Sequence, residues 1–233
     1  MDCERCPTWP QASISCPDMP SCCNARGCDE FFTSRMASRA AERYRQKGVD
    51  KTAQRMLAFL EEHGIEGATV LEIGGGVGDV QIELLKRGAA RTTNLELSPG
   101  YDDEAMRLMR EAGVEVRAER LLHDIAVDPG GVEPADVVVL NRVVCCYPDY
   151  ERLLSAAADH ARRLLVFSYP PRNVVSRLLL GAQNLFFRLQ RKEFRTFAHP
   201  PAQMLGVVEE RGLLLAYTHR PVVWQIAGFE RRD

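Results

Sequence analysis

The sequence predicts an α/β fold with a doubly wound, mostly parallel, seven-stranded sheet. Short apolar runs alternate with longer amphipathic runs across the middle of the chain, which is the pattern of successive β-α-β units with helices on both faces of a sheet. The last two apolar runs, "LLLAYTHR" and "VVWQIAGFER", are separated by too few residues for a parallel crossover. They therefore predict a closing antiparallel pair.

The predicted elements follow in order along the chain. Two N-terminal helices, over 31–48 and 50–64, each end at a glycine, and Asp50 is placed to cap the second helix. The five strands before the closing pair are predicted at "TVLEI", "RTTNLEL", "VEVRAE", "ADVVVLN" and "RRLLVFSY". The remaining helices are predicted over 79–87, 101–112, 149–161 and 201–211.

Composition narrows the classes of partner. With 233 residues, 45% of them hydrophobic and 27% charged, and a net charge of −2, the chain has the composition of an ordinary globular protein. This charge balance gives no overall attraction to nucleic acid, so we expect a small-molecule partner and no nucleic acid. The pattern of a secretory signal is not seen at the start, and the apolar runs are interrupted by polar residues. We therefore expect a cytoplasmic protein without a transmembrane segment, and the oligomeric state stays open.

Cysteine is concentrated at the start of the chain. Residues 1–30 hold six of the eight cysteines and show no periodicity, whereas the regular pattern begins after them. They predict an irregular, cysteine-rich N-terminal arm, followed by one domain over 31–233. In a reducing compartment these cysteines are expected to be thiols or thiolate ligands rather than disulfides.

A glycine-rich loop follows the first predicted strand. The stretch "LEIGGGVGD" (71–79) places four glycines in five positions, a density that suits close approach of the backbone to a ligand. A dinucleotide site would have G-x-G-x-x-G. Asp79 stands where the last glycine of that pattern is expected, and its carboxylate would repel a pyrophosphate.

The loop resembles the first motif of the class I S-adenosylmethionine-dependent methyltransferases. That motif is an acidic residue, one spacer and then G-x-G-x-G, and it is matched from Glu72 to Gly78. The resemblance covers about residues 50–233 and implies a Rossmann-like methyltransferase fold, methyltransferase activity and S-adenosylmethionine as the cofactor. The residues it implies for cofactor binding are Glu72, Gly74, Gly75, Gly76, Gly78, Glu96, Leu97, His123, Asp124 and Asn141.

Three of these residues have distinct implied roles, because each lies at or just after the end of a different predicted strand. Glu96 can accept hydrogen bonds from the ribose hydroxyls. The resemblance places Asp124 at the adenine amino group and Asn141 beneath the reacting centre.

The segment 140–171 is similar to the magnesium-protoporphyrin O-methyltransferase group, which shares the strand and the Tyr-Pro pair. That group has a histidine where this chain has Cys146, so the resemblance implies the architecture and the cofactor but not the substrate. We expect methylation of a small molecule, at oxygen. The alternatives are a thiol or soft metalloid acceptor, or a thiolate-based metal-binding protein on the same fold.

Methyl transfer is an in-line displacement, so alignment supplies much of the rate and a base is needed only for a protonated nucleophile. His199, in "FRTFAHPP", is the candidate base because a histidine pKa near ~6.5 suits proton removal at neutral pH. A turn or capping role is the alternative for His199. Tyr147 is the second candidate catalytic residue, and packing beneath a lid is its alternative role.

The segment 172–192 contains five basic residues and no acidic residue, interleaved with leucine and phenylalanine. This pattern predicts an amphipathic helix. The interpretation we favour is a lid, over about 172–200, that packs its apolar face on the domain. Peripheral contact with a membrane is the alternative.

The short spacing of the arm's last cysteines indicates a ligand site. Cys22, Cys23 and Cys28 are candidate ligands for zinc or another soft metal ion, and an arm of thiols without a metal is the alternative. We expect these three sulfurs to approach Cys145 and Cys146, at the mouth of the active site, as a thiol-rich acceptor or soft-ion site.

Overall fold

The structure, a computed structural model, describes residues 27–232. Its strands are β1 (Thr69–Ile73), β2 (Arg91–Glu96), β3 (Ala118–Leu122), β4 (Ala135–Leu140), β5 (Ala161–Tyr169), β6 (Leu213–His219) and β7 (Gln225–Arg231). They form a seven-stranded sheet in the order β3-β2-β1-β4-β5-β7-β6. The pairs from β3 to β5 are parallel, and β7 is antiparallel to both of its neighbours. The predicted fold class is confirmed.

Helices cover both faces of the sheet. They are α1 (Cys28–Phe31), α2 (Ser34–Lys47), α3 (Lys51–Glu62), α4 (Asp79–Lys86), α5 (Asp102–Ala112), α6 (Tyr150–His160), α7 (Val174–Leu189) and α8 (Pro201–Glu209). The apolar side chains of α2 to α5 pack in one core, on one face, and those of α6 and α8 pack in a second core on the other face. Successive residues of a central strand contribute to opposite cores, because side chains alternate across a strand.

The predicted first helix is interrupted near its start. The chain bends between Phe32 and Ser34, so α1 and α2 are separate helices rather than one helix over 31–48. Thr33 has an extended backbone, with φ −85° and ψ 162°. The Phe32 ring lies 5.1 Å from the Phe194 ring, centre to centre, so this break places an aromatic side chain against a distant part of the chain.

Two predicted strands begin too early. The third strand was expected over 114–119, but residues 115–117 form a 3-10 turn and β3 begins at Ala118, opposite Thr92 of β2. The last strand was expected from residue 222, but β7 begins at Gln225, opposite the last residue of β5. In both cases the strand starts where a partner strand is available for hydrogen bonding.

The lid interpretation expected the helix α7 to pack its apolar face on the domain. In the structure most of that face is exposed instead. Within α7, Phe187 is buried, whereas the other large apolar side chains are mostly exposed. Asn184 holds the helix from its inner side, because its side chain exchanges hydrogen bonds with the backbone N–H and C=O of Thr196. No helix within residues 27–232 is long and apolar enough to span a bilayer.

Candidate functional site

A cavity of about 380 Å³ opens at the carboxyl ends of β1, β2 and β4. Strand β1 lies between the other two, so the chain order reverses at this point of the sheet, which is where open α/β sheets bind ligands. The cavity is lined by four parts of the chain: the N-terminal helices, and the loops after β1, β2 and β4. Its size is in the range of sites for small molecules.

The glycine loop requires glycine at specific positions. Gly74, Gly76 and Gly78 have left-handed φ values of +67°, +54° and +75°. At Gly75 the constraint is space, because a Cβ atom there would lie 2.1 Å from Nδ2 of Asn94 and 2.5 Å from Cδ of Glu72. The backbone at this position therefore lies directly on the side chains at the ends of β1 and β2.

Glu96, at the end of β2, is held by three backbone N–H groups. Its Oε2 accepts a hydrogen bond from Gly76 N at 2.8 Å, and its Oε1 accepts from Leu97 N at 2.8 Å and from Ser98 N at 3.0 Å. These bonds link the glycine loop to the loop after β2. They place a fixed carboxylate in the wall of the cavity.

Glu72 is almost completely buried beneath the glycine loop, with 1% of its surface exposed. Burial, reinforced by the nearby Asp79 carboxylate, raises the pKa of Glu72 to about 8. Burial also raises the pKa of Asp79. At neutral pH the protonated form of Glu72 therefore predominates, and Asn94 Nδ2 lies 3.4 Å from its Oε2.

The second residue of the loop after β4 is strained. Arg142 is a non-glycine residue with φ +61°, a conformation that costs free energy and is concentrated at functional sites. Its backbone N–H donates to Ser168 Oγ at 2.8 Å, and its Nη2 forms an ion pair with Asp50 Oδ2 at 2.9 Å. The guanidinium also lies over the Trp224 ring, 4.9 Å from the ring centre. Tertiary contacts on several sides thus hold Arg142 in this conformation.

Two of the candidate thiols line the cavity. Cys28 and Cys146 contribute to its wall, whereas Cys145 is buried beside them with its sulfur 3.5 Å from that of Cys146. The contact with Cys146 lowers the pKa of Cys145 and raises that of Cys146. The predicted ligands Cys22 and Cys23 lie outside the described residues. Among residues 27–232, no group of three or more histidine, cysteine, aspartate or glutamate side chains is placed to hold a metal ion.

The structure places four predicted site residues outside the cavity wall: His199, His123, Asp124 and Gly78. His199 is buried, and its Nε2 lies 3.0 Å from the backbone oxygen of Tyr147; burial lowers its pKa. His123 Nε2 lies 2.7 Å from the backbone oxygen of Asp128. Asp124 accepts a hydrogen bond from the Tyr147 hydroxyl at 3.0 Å. Tyr147 itself lines the cavity, so Asp124 is connected to the cavity wall through the Tyr147 side chain.

The other predicted residues are brought together in the cavity wall. They are Glu72, Gly74, Gly75, Gly76, Glu96, Leu97, Asn141 and Tyr147. Gly78, the left-handed residue that directly precedes α4, does not line the cavity. The sequence reasoning missed Phe32, Arg43, Asp50 and Arg142 as cavity residues. Arg142 could have been found because it directly follows Asn141, but the others lie in or beside the N-terminal helices, whose contact with the strand ends depends on the tertiary structure.

Comparisons with known proteins agree with this architecture. A family model described as a methyltransferase domain matches residues 41–230. The magnesium protoporphyrin IX methyltransferase of Synechocystis PCC 6803, solved with bound SAH, is similar in structure, with a TM-score of 0.69, 21% identity, and coverage of 88% of this chain and 98% of that chain. An O-methyltransferase family protein of Burkholderia thailandensis has a TM-score of 0.65 and 21% identity, over 89% of this chain and 63% of that chain.

One curated relative matches in sequence over a shorter stretch. The ribosomal protein L11 methyltransferase of Enterobacter sp. (strain 638) is 32% identical over 94 residues, which are 40% of this chain and 31% of that protein. The matched stretch thus spans about a third of that relative's length. At 21% identity the solved structures show the fold alone. The family model shows the family, because it matches most of the chain. The chain therefore belongs to the methyltransferase-domain family, as its glycine motif predicts.

Proposed function

We propose that the protein transfers a methyl group from S-adenosylmethionine to an oxygen atom of a small molecule in the cavity between the glycine loop and the loop after β4. The observation that supports this proposal most strongly is that a single cavity of about 380 Å³ joins the two loops. Cofactor and acceptor can therefore lie side by side, which an in-line transfer requires.

The residues of the glycine loop suit the cofactor. A Cβ atom at Gly76 would contact only the Tyr101 ring, at 3.5 Å. The space beside the Gly76 backbone is therefore open to a ligand. The fixed carboxylate of Glu96 provides an acceptor for hydroxyl donors such as those of a ribose. When bound, S-adenosylmethionine supplies a methyl group activated by its attachment to a sulfonium.

The remaining residues of the cavity wall would position the acceptor and exclude water. Phe32, Met36 and Val143 are apolar wall residues, whereas Arg43 and Arg142 are basic wall residues, Arg142 within an ion pair with Asp50. Removal of water strengthens the attraction between these arginines and an anionic acceptor. We therefore propose an acceptor with an apolar body and an anionic group.

The acidic residues of the wall are already engaged. Asp50 is paired with Arg142, Glu96 accepts from the backbone, and Asp79 accepts from Val80 N at 3.0 Å. No histidine lines the cavity in the part of the chain that the structure describes. An acceptor oxygen that is already ionised at neutral pH, such as a carboxylate, needs no base, so we propose that the product is a methyl ester.

A labelling experiment tests this proposal. The protein is incubated with S-adenosylmethionine carrying a radioactive methyl group and with a small-molecule extract, and the labelled product is then treated with mild base. A methyl ester releases volatile labelled methanol, whereas methyl groups on ether oxygen, nitrogen or sulfur are retained. Glu96→Ala is the control for cofactor-dependent transfer. RNA and total protein are included as alternative acceptors, because labelling of either would contradict a small-molecule acceptor.

A thiol or soft metalloid acceptor is the second candidate. It is supported by Cys28 and Cys146 in the cavity wall and by the 3.5 Å separation of the Cys145 and Cys146 sulfurs, because two close thiols suit a soft centre. In the same experiment a base-stable product whose methyl group is placed on sulfur or on a metalloid by mass spectrometry would favour this candidate. Loss of this product in Cys146→Ser, with transfer retained in the Cys145→Ser control, would indicate that the acceptor contacts the Cys146 sulfur in the cavity wall. The cytoplasmic location also remains a proposal, which cell fractionation tests.

A further inference from the structure

The helix α7 presents an apolar face to solvent. Seven large apolar side chains on it are 54–74% exposed: Val174, Val175, Leu178, Leu179, Leu185, Phe186 and Leu189. Exposed apolar residues scattered singly are ordinary on protein surfaces, but a contiguous group indicates an interaction site. We call these seven side chains the outer face of α7.

The outer face is continuous because of its spacing. At 100° per residue, its seven side chains fall within an arc of roughly 140°. The residues that are not exposed, Ser176, Leu180, Asn184 and Phe187, recur every three or four positions and lie on the opposite side of the helix. The helix therefore turns its narrow, partly polar side to the protein and its wide apolar side outward.

Specific contacts hold the helix in this orientation. Asn184 Nδ2 donates to Thr196 O at 2.7 Å, and Asn184 Oδ1 accepts from Thr196 N at 2.9 Å. The Phe187 ring lies 5.2 Å from the Phe31 ring and 5.8 Å from the Phe194 ring. A rotation that buried the outer face would break these hydrogen bonds and expose Phe187, so the exposure belongs to the folded protein.

The charges around the helix indicate the chemistry of its binding partner. Residues 172–192 carry five basic side chains and no acidic side chain, and Arg177 and Arg188 are exposed along one border of the outer face. An apolar face bordered by arginines is complementary to a bilayer with anionic headgroups. A second copy of the chain would bring the same positive charges together. Residues 1–26 contain only Met1, Trp9, Ile14 and Met19 as large apolar side chains, too few to cover seven.

We propose that α7 is an interfacial helix that docks the enzyme on an anionic lipid bilayer, with its outer face inserted at the level of the headgroups. The opposite side of the helix contacts the wall of the cavity, because Phe187 packs in one apolar cluster with Cys28, and Cys28 lines the cavity. Docking through α7 therefore places the cavity beside the membrane, where acceptors that partition into lipid are concentrated. The docking step is independent of the acceptor proposed above.

Vesicle co-sedimentation of the full chain tests this proposal. Vesicles of phosphatidylcholine alone are compared with vesicles that contain phosphatidylglycerol, at low and high salt. We expect sedimentation with the anionic vesicles, weakened by salt because screening acts on exposed charges. Leu178→Asp/Leu185→Asp should reduce the partition coefficient about tenfold or more, because two apolar side chains lose their insertion.

Matched control variants keep the result interpretable. Val116→Asp alters an apolar side chain that is 84% exposed, away from α7, and should leave vesicle binding unchanged. Arg177→Gln/Arg188→Gln should weaken binding to anionic vesicles about fivefold per arginine, whereas Arg55→Gln/Arg91→Gln, which alters exposed arginines elsewhere, should not. S-adenosylmethionine titration of each variant confirms that it is folded, and a failed methylation assay would not affect this readout.

Three outcomes would overturn the proposal. The first is that the wild-type protein does not bind anionic vesicles. The second is that Leu178→Asp/Leu185→Asp binds them as well as the wild type does. The third is that light scattering shows a dimer that this double variant dissociates, while vesicle binding is absent, because the outer face would then be an interface between copies.

Discussion

The two halves of the cavity are held in different ways. The half proposed for the cofactor, called the cofactor half, consists of the loop after β1 and the end of β2, residues 72–80 and 96–98, and its contacts join neighbouring strand ends through the backbone. The half proposed for the acceptor, called the acceptor half, consists of the cavity residues within 28–50 and 141–147, and its contacts join parts of the chain that are far apart in sequence. The stacking of Phe31 on Phe194, with ring centres 4.2 Å apart, is one example.

The difference separates a part of the cavity that is formed by the backbone from a part that is formed by side chains. A turn that must bring its backbone onto a ligand needs glycine at particular positions, so substitutions there act on both folding and cofactor binding. A wall formed by side chains from several helices can change with little effect on the sheet beneath it. The following predictions test whether the cofactor half is indeed the more sensitive half.

The largest effect is expected at Gly75. Alanine there would place a Cβ atom 2.1 Å from Asn94 Nδ2 and 2.5 Å from the Glu72 carboxyl group, and buried overpacking of this kind costs about 3 kcal/mol. Urea unfolding of Gly75→Ala should show this loss. Gly181→Ala, on α7, is the matched control because nothing lies within 4 Å of its Cβ position, and it should stabilise by up to about 1 kcal/mol. Equal stabilities of the two variants would contradict the comparison.

The next effect is a pH dependence that originates at Glu72. The pKa of Glu72 is about 8 in the folded protein, whereas its ordinary value is 4.5. Between these two pH values the folded protein therefore binds a proton that the unfolded chain has released. The free energy of unfolding should therefore fall as pH rises from about 4.5 to 8, with a slope of at most about 1.4 kcal/mol per pH unit. Urea midpoints across this range measure the slope. Glu72→Gln should flatten it, whereas the exposed control Glu133→Gln should not.

Substitution of Glu96 should weaken cofactor binding. Glu96→Ala removes the acceptor of three backbone N–H groups and a carboxylate of the cavity wall, so we expect a loss of about 1 to 3 kcal/mol in the affinity for S-adenosylmethionine. Calorimetric titration measures it. The same titration of Asp124→Ala tests the adenine contact implied by the resemblance. A dissociation constant unchanged by Glu96→Ala would remove Glu96 from the cofactor site.

The smallest effect on turnover is expected at His199. Its ring is held by the backbone oxygen of Tyr147 and does not line the cavity, so we expect His199→Asn to lower stability by about 1 kcal/mol and turnover by less than about threefold. Burial lowers the pKa of His199 in the folded protein. As pH falls, this histidine therefore binds a proton in the unfolded chain at a higher pH than in the folded protein. Stability should therefore decrease below about pH 6.5, and His199→Asn should lessen this decrease. A loss of turnover of about a hundredfold in a folded variant would restore His199 as the base.

The sequence by itself determined the sheet, most of the helices and the position of the glycine loop. Apolar periodicity reports which face of an element is buried, and the glycines from Gly74 to Gly78 report a backbone conformation, so both are local properties of the chain. The starts of β3 and β7 could not be predicted because they depend on where a partner strand is available.

Only the tertiary structure decided the composition of the acceptor half and the orientation of α7. Nothing local in the sequence indicates that Asp50 pairs with Arg142, or that the His199 ring is held behind the loop that ends at Tyr147. The amphipathic pattern of α7 predicted a helix with an apolar face, but the direction of that face was set by the hydrogen bonds of Asn184 with Thr196 and by the packing of Phe187. Periodicity shows that a helix has two sides, whereas contacts with the rest of the protein determine which side is turned to solvent.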